Sequence, residues 1–272
     1  MSKHASTCFG PVVGLLGMAI GLGLVAAPAM AATTLTDDNS TALIDLSSSA
    51  GFSSWKVDGK EHLKQQWFWY RVGAAGAEKS LDTLTLNASV TTDTNADGNI
   101  DTLYARYLGA GYKVEVTYVL RGGATGTGTS GLGETIRIIN TGASNLDFHF
   151  FQYSDFDLPG GGSDTVEIKG GNTADQTGGP YMVEEVVTWL PAHYQADLYS
   201  TILDSLTDAS PTTLTDAPGP VTGNATWAFQ WDQTIRPGKS FLLGKSTNIV
   251  PEPATLTLVG GALIAALVRR RK

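Results

Sequence analysis

The sequence is most informative in what it lacks. It contains a single cysteine, Cys8, in the first ten of its 272 residues. Once that leading segment is removed no disulfide, no thiolate nucleophile and no cysteine-ligated metal remains available. Charge is sparse, at 16% Asp, Glu, Lys and Arg, and it is unevenly placed. Lys3 lies at the start, Arg269, Arg270, Arg271 and Lys272 form the end, and between Ala32 and Val250 there are 13 basic and 25 acidic residues, a net of −12. A body that acidic is excluded as a general binder of nucleic acid or of anionic lipid. Histidine is scarce too. His62, His149 and His193 are far apart in sequence, form no H-x-H or H-E-x-x-H spacing, and are expected to stand as isolated residues. There is no G-x-S-x-G, no phosphate-binding loop, and the S-x-x-K match at Ser53–Lys56 has no S-D-N or K-T-G companion.

Long apolar runs occur only at the two ends. The first, from about Phe9 to Ala27, follows Lys3 and His4 and closes on Pro28-Ala29-Met30-Ala31-Ala32. Small residues at Ala29 and Ala31 suit signal peptidase, so residues 1–31 read as a signal peptide cleaved between Ala31 and Ala32. Cys8 precedes the apolar run, is badly placed for lipid attachment, and leaves with it. The second run, Ala254 to Val268, is 15 residues long and would span roughly 22 Å as a helix, short of the ~30 Å hydrocarbon layer. Snorkelling arginines and local thinning close that gap, and the terminal cations place the C-terminus in the cytoplasm with the body outside.

In order, Pro251-Glu252-Pro253, the short apolar segment and Arg269-Arg270-Arg271-Lys272 resemble the PEP-CTERM sorting tails of exported proteins in Gram-negative bacteria that make exopolysaccharide. The resemblance covers residues 250–272. It implies an inner-membrane intermediate and removal of the tail by exosortase, the second processing enzyme after signal peptidase. It is silent on the cargo.

The cargo, from about Leu35 to Asn248, is mainly β. Apolar residues alternate with polar ones along 83–91, 112–121, 135–138 and 227–232, the signature of strands with one buried face. Further strands are expected at Ala42–Leu46, Trp67–Val72, Leu103–Leu108, Leu146–Asp155, Thr165–Lys169, Val183–Leu190 and Ser240–Lys245, making ten or eleven in an antiparallel sandwich or jelly-roll-like pair of sheets. The run Gly122–Gly133 reads as a long hairpin loop. One helix is expected over Gln195–Leu206, from the spacing of Leu198, Ile202 and Leu206 between Pro191 and Pro211.

Candidate chemistry is confined to a few clusters. Asp93, Asn95, Asp97, Asn99 and Asp101, with Gly98 at the sixth position, match the first nine positions of an EF-hand-type calcium loop. Tyr104 stands where the bidentate Glu belongs, so a weak calcium site with Kd on the order of 10⁻⁴–10⁻³ M competes with a solvated turn built from Asx-turns. Asp155 and Asp157 share a strand face roughly 7 Å apart, compatible with two-carboxylate glycoside chemistry or, with Asp164, a cation site. Glu184 and Glu185 point to opposite faces. Trp67 with Trp69, and Trp227 with Trp231, are same-face pairs that suit sugar stacking if exposed and the sandwich core if not.

Gly133–Gly142, Phe148–Leu158 and the late Trp227–Asp232 segment together resemble the β-supersandwich of sugar-binding and mutarotase-like proteins. The expected role is that of an exported cell-surface or exopolysaccharide-matrix protein, non-enzymatic, structural or adhesive, with no catalytic residues and no cofactor beyond calcium. A carbohydrate-binding module and a glycan-active enzyme are the alternatives.

Overall fold

The computed structural model describes residues 32–252. The signal segment through Ala31, and the tail from Pro253 with Arg269, Arg270 and Arg271, lie outside them. Strands β1 (Thr33–Asp37), β2 (Ser40–Ile44), β3 (Phe52–Val57), β4 (Lys60–Glu61), β5 (Leu63–Val72) and β6 (Lys79–Ser80) come first. They are followed by β7 (Thr85–Thr92), β8 (Thr102–Gly109), β9 (Tyr112–Gly122), β10 (Ser130–Asn140), β11 (Leu146–Phe156) and β12 (Asp164–Lys169). The last are β13 (Thr173–Gly178), β14 (Tyr181–Val187), β15 (His193–Leu198), β16 (Val221–Gly223), β17 (Ala225–Ile235) and β18 (Ser240–Pro251), with helix α1 (Thr201–Thr207) after β15.

These form two antiparallel sheets. One runs β1-β2-β3-β5-β11-β17-β15, with β4 on β3 and β6 on β5; the other runs β16-β12-β13-β14-β18-β10-β9-β8-β7. A single apolar core joins them. The alternation seen in sequence is realised: Tyr112, Val114, Val116, Tyr118 and Leu120 of β9 are all buried while the intervening residues are not. In β7 the pattern fails. Val90 is 54% exposed because β7 is the outermost strand of its sheet and its pairing is irregular between Leu86 and Ala88.

Among the described residues eighteen strands replace the expected ten or eleven. Those missing from the sequence reading are short, polar or at edges. In β13 (TADQTG) the buried positions include Asp175 and Gln176, so no apolar alternation marks it; Gln176 Nε2 is satisfied by the Phe156 carbonyl and by Asp164 Oδ2. The helix is also shorter than expected. Residues 193–198 pair with the open edge of β17, and only Thr201–Thr207 is helical, with Ile202 and Leu206 turned inward. Backbone pairing to an available edge outweighs the weak helical periodicity of a short segment. Strand pairing likewise shortens the Gly-rich connection to residues 123–129, with Gly131 and Gly133 inside β10.

Sheet one is buried on both faces. Phe68 and Tyr70 turn to the second sheet, where Tyr70 packs against Tyr112. Trp67 and Trp69 turn away, yet both are buried: Trp67 Nε1 donates to Ser80 Oγ and Asp82 Oδ1, and Trp69 packs edge-on against Tyr153. Trp227 and Trp231 are core residues as well, their indole N–H groups donating to Glu185 Oε1 and the Trp189 carbonyl. Neither tryptophan pair therefore offers a sugar-stacking surface.

The inter-sheet core has a charged centre. Lys245 on β18 lies between Glu134 on β10 and Glu185 on β14, with Nζ–O distances of 2.5 and 3.2 Å, and all three side chains are within 2% of full burial. Gln66, Gln152 and Ser154 of sheet one are buried too, and Ser154 Oγ reaches Glu185.

Gly51 shows how tightly the other face is packed. It has φ +54° and a side chain there would strike the Trp67 indole. Gly51→Ala is expected to lower stability by about 2–3 kcal/mol, from overpacking added to left-handed strain. Thermal or urea melts measure the loss, and an unchanged midpoint would refute the packing account.

Candidate functional site

A polar cleft of about 480 Å³ opens where β11 ends and β5 begins, lined by Lys64, Gln65, Asp155, Asp157, Asp164 and Tyr199 among others. Its geometry follows from a local irregularity. Asp155 pairs with Gln65 but Phe156 pairs with Leu63, so Lys64 is the extra residue of a bulge. A bulge of this kind bends the strand and re-aims side chains at its end.

Three carboxylates share the cleft and are held differently. Asp155 is buried, and its Oδ1 has no hydrogen-bond partner among the described residues. Burial, reinforced by the nearby Asp157 charge, pushes its pKa up to about 6. Asp157 is exposed and paired with Lys64 at 3.2 Å. Asp164 accepts the Leu158 amide at 3.1 Å and Gln176 Nε2 at 2.7 Å; burial still raises its pKa. Asp164 is thus structural, while Asp155 is poised to act as hydrogen-bond donor or acceptor near neutral pH. Sequence reasoning singled out all three, and the fold places them in one cleft with Lys64, Gln65 and Tyr199, which no local pattern marked.

The histidines are not all isolated. His149 and His193 approach the same carboxylate: His149 Nδ1 is 2.6 Å from Asp232 Oδ1, and His193 Nε2 is 4.0 Å from Asp232 Oδ2. Asp216 takes the other ring nitrogen of His193, and Gln230 donates to Asp232. The pairing of β11 with β17 and of β17 with β15 creates this cluster, a relation no spacing along the chain reveals. His62 does stand apart, buried edge-on against Tyr181, and burial lowers its pKa.

In the 93–101 loop the oxygens serve the loop's own backbone. Asp93 accepts the amides of Ala96 and Gly98, Asn95 that of Asp97, and Asp97 that of Asn99. Asp101 turns inward to Thr94, Thr102 and Arg121. Burial would raise its pKa, but these hydrogen bonds and the guanidinium hold it below the usual value. Among the described residues no three His, Cys, Asp or Glu side chains group closely enough to hold a metal ion.

The fold is shared with several solved structures of low sequence identity. The Slr1438 protein of Synechocystis sp. PCC 6803 superimposes with a TM-score of 0.56 at 10% identity, over 81% of this chain and 96% of that one. A candidate aldose 1-epimerase from Escherichia coli K12 gives 0.51 at 11% identity, over 81% and 99%. A bacterial glucoamylase complexed with acarbose gives 0.53 at 10% identity, covering 84% of this chain but only 33% of the enzyme. Such identities establish a common fold and nothing finer. Comparison with curated protein sequences finds no match.

Residues 250–272 match the PEP-CTERM protein-sorting motif. The chain is therefore an exported protein, sorted through a membrane-anchored intermediate and processed by exosortase. The motif begins inside the fold: Pro251 pairs with Tyr181 as the last residue of β18, and the Glu252 amide donates to the Pro180 carbonyl. Among the described residues no helix is long and apolar enough to cross a membrane; the apolar segment 254–268 lies outside them.

Two tests follow. With its pKa raised, Asp155 keeps a proton in the folded chain between about pH 4 and pH 6 that the unfolded chain has lost, so it makes stability fall as pH rises through that window and stay lower above it. Asp155→Asn is expected to raise stability at pH 7 by about 2 kcal/mol and to flatten that pH dependence, measured by melts from pH 4 to 8. A variant less stable at pH 7 would refute the desolvation account. For the 93–101 loop, the self-satisfied arrangement predicts no change in melting temperature at ~1 mM calcium. A calcium-dependent rise would show that the loop reopens around the ion.

Proposed function

We propose that the exported body is an adhesive protein of the cell surface or exopolysaccharide matrix that binds carbohydrate in the Asp155 cleft. The observation that carries this reading is the buried Asp155 with its unpartnered Oδ1 on the wall of a polar cleft. A buried polar atom without a partner is costly, and a sugar hydroxyl supplies the missing donor. Lys64, Gln65 and Asn224 line the same cleft and add donors for ring and hydroxyl oxygens, while Tyr199, 51% exposed, offers an aromatic face to a pyranose ring. The fold supports the reading, since it occurs in a glucoamylase that holds acarbose and in a candidate aldose 1-epimerase. The body's net charge of −12 suits solubility within a hydrated polysaccharide.

The pKa of about 6 at Asp155, beside Asp157, favours one second reading: a general acid acting on a bound glycan. Both readings place the ligand at the same carboxylate, and they differ in whether the glycan is altered.

A glycan array and calorimetric titration with the secreted body test the proposal. Binding to at least one oligosaccharide is expected, weakened about tenfold or more in Asp155→Asn and in Tyr199→Ala. Binding to no glycan would overturn it. Chromatography of the incubated glycans separates the readings, because unchanged ligand excludes the acid role.

A further inference from the structure

The charged centre of the core has the geometry of a bond-forming site. Glu134 and Lys245 are directly opposite each other in the β10–β18 register, so their side chains leave the sheet on the same face. Lys245 Nζ is 2.5 Å from Glu134 Oε2, and Gln66 is the other polar side chain that bears on that carboxylate. Glu185 is treated differently. Its carboxylate accepts from Trp227 Nε1 at 3.2 Å, Thr247 Oγ1 at 3.2 Å and Ser154 Oγ at 3.4 Å, and its Oε2 is 3.2 Å from the same Nζ. Glu185 is thus the more fully hydrogen-bonded of the two carboxylates. Glu134 has the lysine and Gln66 beside it, and its burial raises its pKa toward the neutral acid.

We propose that Lys245 and Glu134 condense to an intramolecular amide, with Glu185 as the proton carrier. At rest Glu134 and Glu185 hold the proton on Lys245 against the effect of burial; in the reactive state it passes to Glu134, leaving a neutral amine against a neutral carboxylic acid. The Nζ lone pair attacks Glu134 Cδ and forms the N–C bond. Glu185 takes a proton from Nζ and returns it to the departing hydroxyl, the C–O bond breaks, and one water leaves. Glu185 ends as the carboxylate it began as, so the step needs no oxidant, reductant or activated co-substrate. Burial favours it twice, by exchanging an ion pair for a neutral amide and by expelling water from a dry core.

The product staples β10 to β18, strands whose bonded residues are more than a hundred positions apart. A described body without cysteine has no disulfide to do this. Because β18 runs directly into the sorting motif at Pro251, the bond transmits any pull on the membrane-held tail into the centre of the second sheet.

Intact-mass spectrometry of the purified, folded protein decides the matter, with its processed termini read from the terminal peptides. The mass is expected to fall short of the sequence by one water, and digestion is expected to release a branched peptide joining the segments that carry Glu134 and Lys245. The full sequence mass in folded protein would overturn the proposal. Lys245→Met is expected to restore the full mass and lower the melting temperature. Glu185→Gln is expected to fold and to retain the water, and condensation in that variant would overturn the role given to Glu185.

Discussion

The centre of the sandwich is arranged around three ionisable side chains that have no access to water. Lys245, Glu134 and Glu185 come from three adjacent strands, β18, β10 and β14 in that order, and meet between the sheets. Removing charges from water is expensive, and the expense is met only when partners are in place with good geometry. A slip of one residue in β18 would send Lys245 to the solvent side and abandon two carboxylates in the core. The cluster therefore acts as a register lock for the centre of the second sheet. It also reaches across the core, because Trp227 and Ser154 of the first sheet solvate Glu185.

With the centre locked, the ends of the strands are free to be irregular. The first sheet carries aromatic residues on both faces, one forming the shared core and the other covered by Ser80–Thr83, by α1 and by the chain that follows it. Where that cover ends, the Lys64 bulge and the end of β11 leave a polar cleft with one carboxylate under-satisfied. Stability surrendered at a cleft in this way is a common companion of binding or catalysis. At the other extreme of the chain no linker separates body from sorting motif, since Pro251 is still part of β18. The body and its address are mechanically one piece until the tail is removed.

Much of this was legible in the residues, including some of what went unread. Glu134 keeps step with Leu132, Ile136 and Ile138; Lys245 with Phe241, Leu243 and Ile249; Glu185 with Val183 and Val187. A charge in phase with a buried face is a sequence-level sign of a buried ionic cluster, and Glu185 was noted only for pointing opposite to Glu184. Asp155, Asp157 and Asp164 were recognised as a group. The strands β13 and β15 were not, because the interior strand β13 buries polar residues and the edge strand β15 is placed by its pairing with β17, not by apolar alternation. The tryptophan pairs show the limit of periodicity, which assigns residues to a face without saying whether that face meets water.

The amino-acid sequence by itself determined the sorting tail, the strand faces and the lack of cysteine among residues 32–252, since each rests on residue identity and local spacing. Tertiary structure alone decided which remote residues meet. Lys245 finds Glu134 and Glu185, His149 and His193 share Asp232, and Lys64 and Tyr199 join Asp155, because sheet order sets those distances. Strand order is a property of the whole chain's packing, and periodicity within a strand carries no information about its neighbours.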